Sequence, residues 1–286
     1  MNENKTNINW YPGHMAKTKR QIKELLPIAD FVIEVIDSRI PNSSRVIDLD
    51  SFVKNKPRIM VFSKYDLCDK EETDKWIDYY KKYNYIVVTV NLLNQSDSII
   101  IRKEIDKLSK SINLKRKEKG LKPKKCRGLV VGVPNSGKST LINLLAKRKV
   151  AKVGNTPGFT KSLSWLNIGD IYLLDSPGVL WPKFSETVSF NLASTTAIKE
   201  EVLPVMEVAA YILSMLDKYY NDMLKSRYNL DSFSNEEEDY IIIGKKIGAI
   251  KGNEPDYDRI CKFVLNDIKN NNIKNITFDR FDEYER

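Results

Sequence analysis

The residues best equipped for chemistry form one loop, Gly132-Val-Pro-Asn-Ser-Gly-Lys-Ser139, followed by Thr140. It meets G-x-x-x-x-G-K-[ST] at every fixed position. In such a loop the glycines let successive backbone N–H groups turn inward on a β-phosphate, and a following helix N-terminus adds partial positive charge. Asn135, Ser136, Gly137 and Thr140 belong to the cradle. Lys138 neutralises the β- and γ-phosphates, and the Ser139 hydroxyl ligates Mg²⁺. Asp175-Ser-Pro-Gly178 lies 43 residues after Gly132. Asp175 is placed to reach Mg²⁺ through water, and the Gly178 N–H to hold the γ-phosphate. Between the two motifs Thr160 is a candidate Mg²⁺ ligand, with Thr156 competing for that role.

Base choice falls to Ser63-Lys64-Tyr65-Asp66. A carboxylate at the end of an apolar strand accepts two bonds from guanine, from N1–H and the exocyclic amine. Adenine lacks that pair of donors, so an ATP-using enzyme leaves Asp66 unexplained. Asn is usual where Ser63 stands. The shorter side chain has no amide donor, so either the bond to the base or the strut to the phosphate loop is expected to weaken. Asn91, in Thr89-Val-Asn-Leu92, is a candidate for supporting the base.

Elements must hold these groups together. Apolar runs at Phe31–Ile36, Ile59–Phe62, Ile86–Val90, Leu129–Val133 and Ile171–Leu174 predict strands buried on both faces of a parallel sheet. Helical patterns at Met15–Leu26 and Ser98–Ile112 separate them, which predicts a doubly wound, mostly parallel α/β domain. Residues 1–200 are assigned to it. Residues 201–286 show helical stripes such as Val205, Val208, Ala209, Ile212 and Leu216, and predict a small α-helical domain. Its Asn-rich NDIKNNNIKN stretch reads as loose.

Charge is uneven. The chain has 47 basic and 38 acidic residues, a net +9. After residue 200 there are 12 basic and 17 acidic residues, and before it 35 and 21. Lys115–Arg127 carries eight basic residues and one acidic. Such a run is either a solvated linker or a contact to nucleic-acid phosphates, and the pI of 9.2 favours an RNA or DNA partner. Composition excludes disorder and a disulfide scaffold, and three scattered cysteines with one histidine exclude zinc. The polar N-terminus lacks a secretory or organelle signal, so a cytoplasmic protein is expected.

The base motif precedes the phosphate loop, the reverse of ordinary GTPases, and this order resembles circularly permuted P-loop GTPases. Trp10-Tyr-Pro-Gly-His-Met-Ala-Lys17, Asp37-Ser-Arg-Ile-Pro41, Pro157-Gly-Phe-Thr160 and Asp175-Ser-Pro-Gly-Val-Leu-Trp-Pro-Lys183 resemble the ribosome biogenesis GTPase A (RbgA/YlqF) family over essentially the whole chain. The resemblance implies a GTP/GDP-binding, ribosome-stimulated GTPase. Its implied role is a late step of large (50S) subunit assembly, acting as a monomer on rRNA and proteins of the subunit precursor. The competing reading is a nucleotide-dependent RNA-binding switch in which hydrolysis is incidental.

Water activation needs its own candidate. Val179 follows Gly178 where Ras-like enzymes place a Gln, and it cannot hydrogen-bond, so slow intrinsic hydrolysis is expected. The resemblance gives the catalytic role to His14. Taken alone, a single histidine near an N-terminus reads as a helix-start or surface residue. In GTPases with G-x-P-N-x-G-K-S loops, Asn135 is a possible K⁺ holder. The alternative is an Asn that stabilises its own turn.

Overall fold

A computed structural model describes residues 13–47, 49–53, 56–148, 164–178, 180 and 184–284, without the side chains of 13–15, 51, 52 and 164. Six strands form the central sheet: β1 (Phe31–Asp37), β2 (Arg58–Ser63), β3 (Ile86–Thr89), β4 (Cys126–Val131), β5 (Ser164–Ile168) and β6 (Ile171–Asp175). Their order is β3-β2-β1-β4-β6-β5. All neighbours are parallel except β5, which runs antiparallel to β6. The chain therefore starts at the centre, winds out to β3, crosses back to β4 and winds out the other way.

Burial on both faces explains the apolar runs. Residues Phe31, Ile33 and Val35 of β1 meet helices α4 (Asp97–Glu118) and α5 (Lys138–Ala146) through Ile101, Ile105, Leu141 and Ile142. Successive strand side chains point to opposite faces. Accordingly Val32 packs with Ile22 of α1 (Gly13–Leu25), and Ile36 with Trp76 and Tyr80 of α3 (Lys70–Lys82). A short α2 (Leu49–Phe52) follows β1. The sequence patterns missed β5, since Ser-Trp-Leu-Asn-Ile has no continuous apolar run. An edge strand does not need one.

Helix α4 runs six residues beyond its predicted end and absorbs Lys115–Glu118 of the basic run. Cations suit a helix C-terminus. Beyond β6, α6 (Glu186–Ser194) leads to α7 (Val205–Tyr219), α8 (Asn221–Tyr228), α9 (Glu237–Ile247), the small hairpin β7 (Ile250–Lys251) and β8 (Glu254–Pro255), and α10 (Tyr257–Lys269). Val208, Ile212 and Leu216 of α7 pack with Ile260, Val264 and Ile268 of α10. The same apolar cluster reaches Leu192 of α6 and Val133 beside the phosphate loop.

The Asn-rich stretch is a packed turn. Asn271 and Asn275 take left-handed conformations, and Asn272 bonds to Asp267. The turn buries Ile273, Ile276 and Phe278 and sends the chain back to the sheet, where α11 (Phe281–Tyr284) lies on α3. Asparagine supplies left-handed turns as well as disorder, and composition does not separate the two.

Candidate nucleotide-binding site

The described loops of the predicted site follow the carboxyl ends of parallel strands: Lys64–Asp66 after β2, which Ser63 ends, Asn91 after β3, Gly132–Thr140 after β4 and Ser176–Gly178 after β6. In doubly wound sheets that edge, at the point where strand order reverses, is where ligands bind. Here the reversal falls between β1 and β4, directly below the phosphate loop.

The phosphate loop closes onto α5 through Gly137, which has φ +101°. A Cβ there would also stand 2.8 Å from Leu92, so the loop after β3 presses against the cradle. Lys138 Nζ donates to the Val133 carbonyl at 2.7 Å. Burial lowers this ammonium to about 8, against the pull of the Asp175 carboxylate. Ser136 is fully buried, and its hydroxyl has no hydrogen-bond partner among the described residues. Thr140 is half-buried in the first turn of α5.

Asp175 ends β6, where the Ser139 hydroxyl donates to its Oδ2 at 3.4 Å. The other oxygen, Oδ1, is buried and has no partner among the described residues. Burial pushes the carboxyl above the usual range, with Lys138 and Ser139 pulling the other way. A hydroxyl and a carboxylate with a spare oxygen form a donor set that suits a hydrated divalent cation. Gly178 meets the phosphate loop so closely that a Cβ would lie 2.6 Å from Pro134 Cα.

The base motif is fastened to the phosphate loop at two points. Ser63 Oγ donates to the Ser136 carbonyl at 2.7 Å and lies 2.9 Å from the Ile36 carbonyl. Lys64 Nζ donates to the Asn135 carbonyl at 2.9 Å and to Asp37 Oδ2 at 2.7 Å. The strut expected to weaken with Ser63 is therefore present, carried by a hydroxyl close enough to the loop carbonyl. Asp66 is exposed beyond this turn. Asn91 Oδ1 accepts from Leu93 N at 2.9 Å, so this side chain shapes its own loop.

Four supporting residues had no assigned role in the sequence reading, although Asp37 and Arg39 stand in one of its motifs. Asp37 holds Lys64 and is itself clamped by Arg39, whose Nε and Nη2 donate at 3.0 and 2.8 Å. Burial alone would raise the Asp37 carboxyl, but Arg39 and Lys64 hold it well below the usual carboxylate range. Asp97 accepts from Asn91 N at 2.7 Å. The Thr196 carbonyl accepts from Asn135 Nδ2 at 2.8 Å. An aspartate ending a buried strand was a readable signal for Asp37. Thr196 had none. His14 lies in the first turn of α1, with its side chain outside the described residues, as are Thr156, Thr160 and Val179 entirely.

Comparison with known proteins bears on the family and the fold. A family model described as a 50S ribosome-binding GTPase matches residues 127–246. Ribosome biogenesis GTPase A of Priestia megaterium is 40% identical over 284 residues, covering 98% of this chain and 99% of that one. The chain belongs to the ribosome biogenesis GTPase A family. The protein of that name from Bacillus cereus is 38% identical over 289 residues, covering 97% of this chain and 95% of that one. The crystal structure of GNP-bound YlqF from T. maritima superposes with a TM-score of 0.64 at 25% identity, over 92% of this chain and 98% of that one. Circular permutation in this ribosome biogenesis GTPase A family member accounts for the base motif on β2 coming before the phosphate loop on β4. The sheet order brings both to one edge regardless of where the chain begins.

Proposed function

We propose that this chain, a GTPase of ribosome biogenesis, binds the large-subunit precursor with GTP bound and hydrolyses GTP to GDP and phosphate when that particle stimulates it. The observation that carries the reading is the double fastening of Ser63-Lys64 to the phosphate loop, which makes one nucleotide site from two distant motifs. Asp66 reads guanine, with Asn91 shaping the loop beside it. Backbone N–H groups of Asn135–Thr140 and the Lys138 ammonium take the phosphates, and Gly178 takes the γ-phosphate. Ser139 and Asp175, the latter through water, hold Mg²⁺, with Thr160 as a further ligand. Mg²⁺, when bound, neutralises charge on the β- and γ-phosphates. Asn135 offers its amide oxygen to K⁺.

His14 orients the attacking water once the ribosomal particle positions α1, supplying what Val179 cannot. Residues 1–200 serve as the GTPase domain and 201–286 as the helical domain that meets the ribosome. The protein works as a cytoplasmic monomer. Among the described residues no helix is long and apolar enough to cross a membrane.

Hydrolysis measured with and without large ribosomal subunits tests this reading. Wild type is expected to speed up with subunits, and His14→Ala to bind nucleotide normally while losing most of the stimulation. Supplied catalytic groups in GTPases are worth roughly 10³–10⁵ in rate. A His14→Ala protein that still matures subunits and leaves them normally would favour the RNA-binding switch instead.

A further inference from the structure

The opposite end of the sheet, where β4 and β6 begin, carries a second charged feature. A groove of about 700 Å³ runs between the last turns of α4 and the loop leading into β4. Cys126 and Ile171 line its apolar part, and Lys110, Lys117, Lys124 and Lys125 its rim. The sequence left this basic run as either a linker or a phosphate contact, and the structure separates those readings. The loop is pinned to α4. Asn113 Nδ2 donates to the Lys124 carbonyl at 3.0 Å, and Lys124 N donates back to Asn113 Oδ1 at 2.9 Å. Arg116 Nε donates to the Lys122 carbonyl at 3.1 Å. Lys124 Nζ also pairs with Asp30 at 2.5 Å. The lysines are thus presented on a fixed frame.

Much of that charge is unspent. Lys110, Lys115, Lys117, Lys119 and Lys122 are exposed, and none pairs with a carboxylate among the described residues. Lys110 and Lys117 are seven residues apart on α4, so they share a face about 10 Å apart along the axis. Around the sheet edge, Lys125 sits 4.7 Å from the Tyr172 ring centroid and Arg127 5.7 Å from that of Trp165, which continues the basic rim. Asp106 and Asp170 also line the groove, so an anion sits against the lysine rim, away from them.

We infer that this groove and its rim grip the phosphodiester backbone of RNA, independently of sequence and of the bound nucleotide. The inference rests on the ribosomal reading above and deepens it by naming a contact surface. A linear, repeating anion suits a row of long, solvated lysines. A protein partner would instead be expected to meet buried aromatic or aliphatic anchors, and the exposed apolar side chains at the groove among the described residues are Leu114, Leu121 and Pro123, with no aromatic. Base reading needs side-chain amides or bidentate groups in position, and the Asn113 amide is occupied by the loop. The nucleotide loops lie at the far ends of the strands, so exchange of GDP for GTP leaves the groove alone.

Fluorescence anisotropy of a fluorescein-labelled RNA hairpin with the intact protein, over a KCl series, tests it. Wild type binds, equally with GDP and with a non-hydrolysable GTP analogue. Lys110→Glu/Lys117→Glu binds at least about tenfold more weakly near 0.1 M salt, and the slope of log K against log[salt] drops by roughly 1.5. Lys110→Gln/Lys117→Gln shows the same direction with a smaller loss. Guanine-nucleotide binding stays at the wild-type level in both, confirming a folded site. Unchanged affinity and slope in both variants would overturn the inference. So would poly-glutamate binding as tightly as the hairpin, which would assign the groove to an acidic protein. This readout needs no ribosome, so it can fail while subunit-stimulated hydrolysis stands, or the reverse.

Discussion

The Ser63 hydroxyl bonds to the Ser136 carbonyl at 2.7 Å, joining residues 73 apart in sequence and tying the base motif to the phosphate loop. One hydroxyl proton serves both this carbonyl and that of Ile36, 2.9 Å away. Ser63 is fully buried, so neither carbonyl gains water if the hydroxyl is lost.

Ser63→Ala is therefore expected to cost about 1–2 kcal/mol of stability, the usual penalty for stranding a buried polar group. Guanine nucleotide affinity is expected to fall up to about tenfold, since the phosphate loop loses one of its two fastenings. Urea unfolding and a GDP titration measure the two effects. Wild-type values in both would mean that Lys64 alone sets the loop.

Asp37 carries the other fastening. It is buried between Arg39 and Lys64, and Asp37→Asn leaves a buried guanidinium without its counter-charge. Breaking such a pair costs about 3–5 kcal/mol. The sign of the pH dependence follows from the lowered carboxyl. Its stabilisation is complete above the unfolded carboxylate's pKa, about 3.9, and is lost as pH falls below it. Wild type and Asp37→Asn should therefore differ most near neutrality and converge in acid. A constant gap from pH 7 to pH 3 would contradict the ion pair.

The difference between what the sequence could and could not specify follows contact range. Gly137-Lys138-Ser139 was legible because a strand, a tight turn and a helix start are dictated within a dozen residues. Asp66 was legible because its strand is an apolar run with a carboxylate just past its end. The Asn135–Thr196 bond was not, because nothing local distinguishes Thr196 from other polar residues, and Asp37, although marked by ending a buried strand, gave no local sign that Lys64 is its partner. The Asn-rich turn misled for the same reason. Its order comes from Ile273, Ile276 and Phe278 being buried by elements far away in sequence.

Asp279 shows how far such contacts reach. It accepts from Asn42 N and Ser43 N at 2.7 Å each, from Ser43 Oγ at 2.5 Å and from Asn191 Nδ2 at 2.8 Å. This one carboxylate joins the segment leading into α11 to the loop after β1 and to α6. Asp279→Ala removes the acceptor of Asn42 N, Ser43 N and Ser43 Oγ, while Asn191 Nδ2 keeps Ser43 Oγ at 3.0 Å, and is expected to cost about 3–5 kcal/mol. It should also release the tail from α3, which the Trp76 environment reports, because Trp76 Nε1 donates to the Asp279 carbonyl. Denaturant unfolding followed by tryptophan fluorescence checks both, and a shift below about 1 kcal/mol would show that the apolar contacts hold the tail without it.

The three free cysteines give a pH-based expectation. Burial raises the Cys68 thiol to about 12 and Cys261 to about 11, and raises Cys126 as well. The thiolate is the reactive form, so the native protein should resist iodoacetamide at pH 8 while the urea-unfolded chain takes up three labels. Mass spectrometry counts them. Rapid native labelling of Cys126 would show that the groove beside it opens.

Asn135 unites two roles that one substitution can separate. Its amide nitrogen is committed to the Thr196 carbonyl, which orients the side chain and joins the phosphate loop to the segment after α6. Both residues sit at positive φ, 58° and 66°, and for β-branched Thr196 that conformation is strained. Asn135→Ala removes the bond and is expected to lower stability by about 1 kcal/mol. If the amide oxygen also holds K⁺ beside the phosphates, wild type hydrolyses GTP faster in K⁺ than in Na⁺ and the variant loses that difference. Thr196→Gly keeps the carbonyl and relieves the strain, so it should retain the K⁺ advantage at a stability equal to or above wild type. An Asn135→Ala protein as responsive to K⁺ as wild type would leave this side chain with the structural role alone.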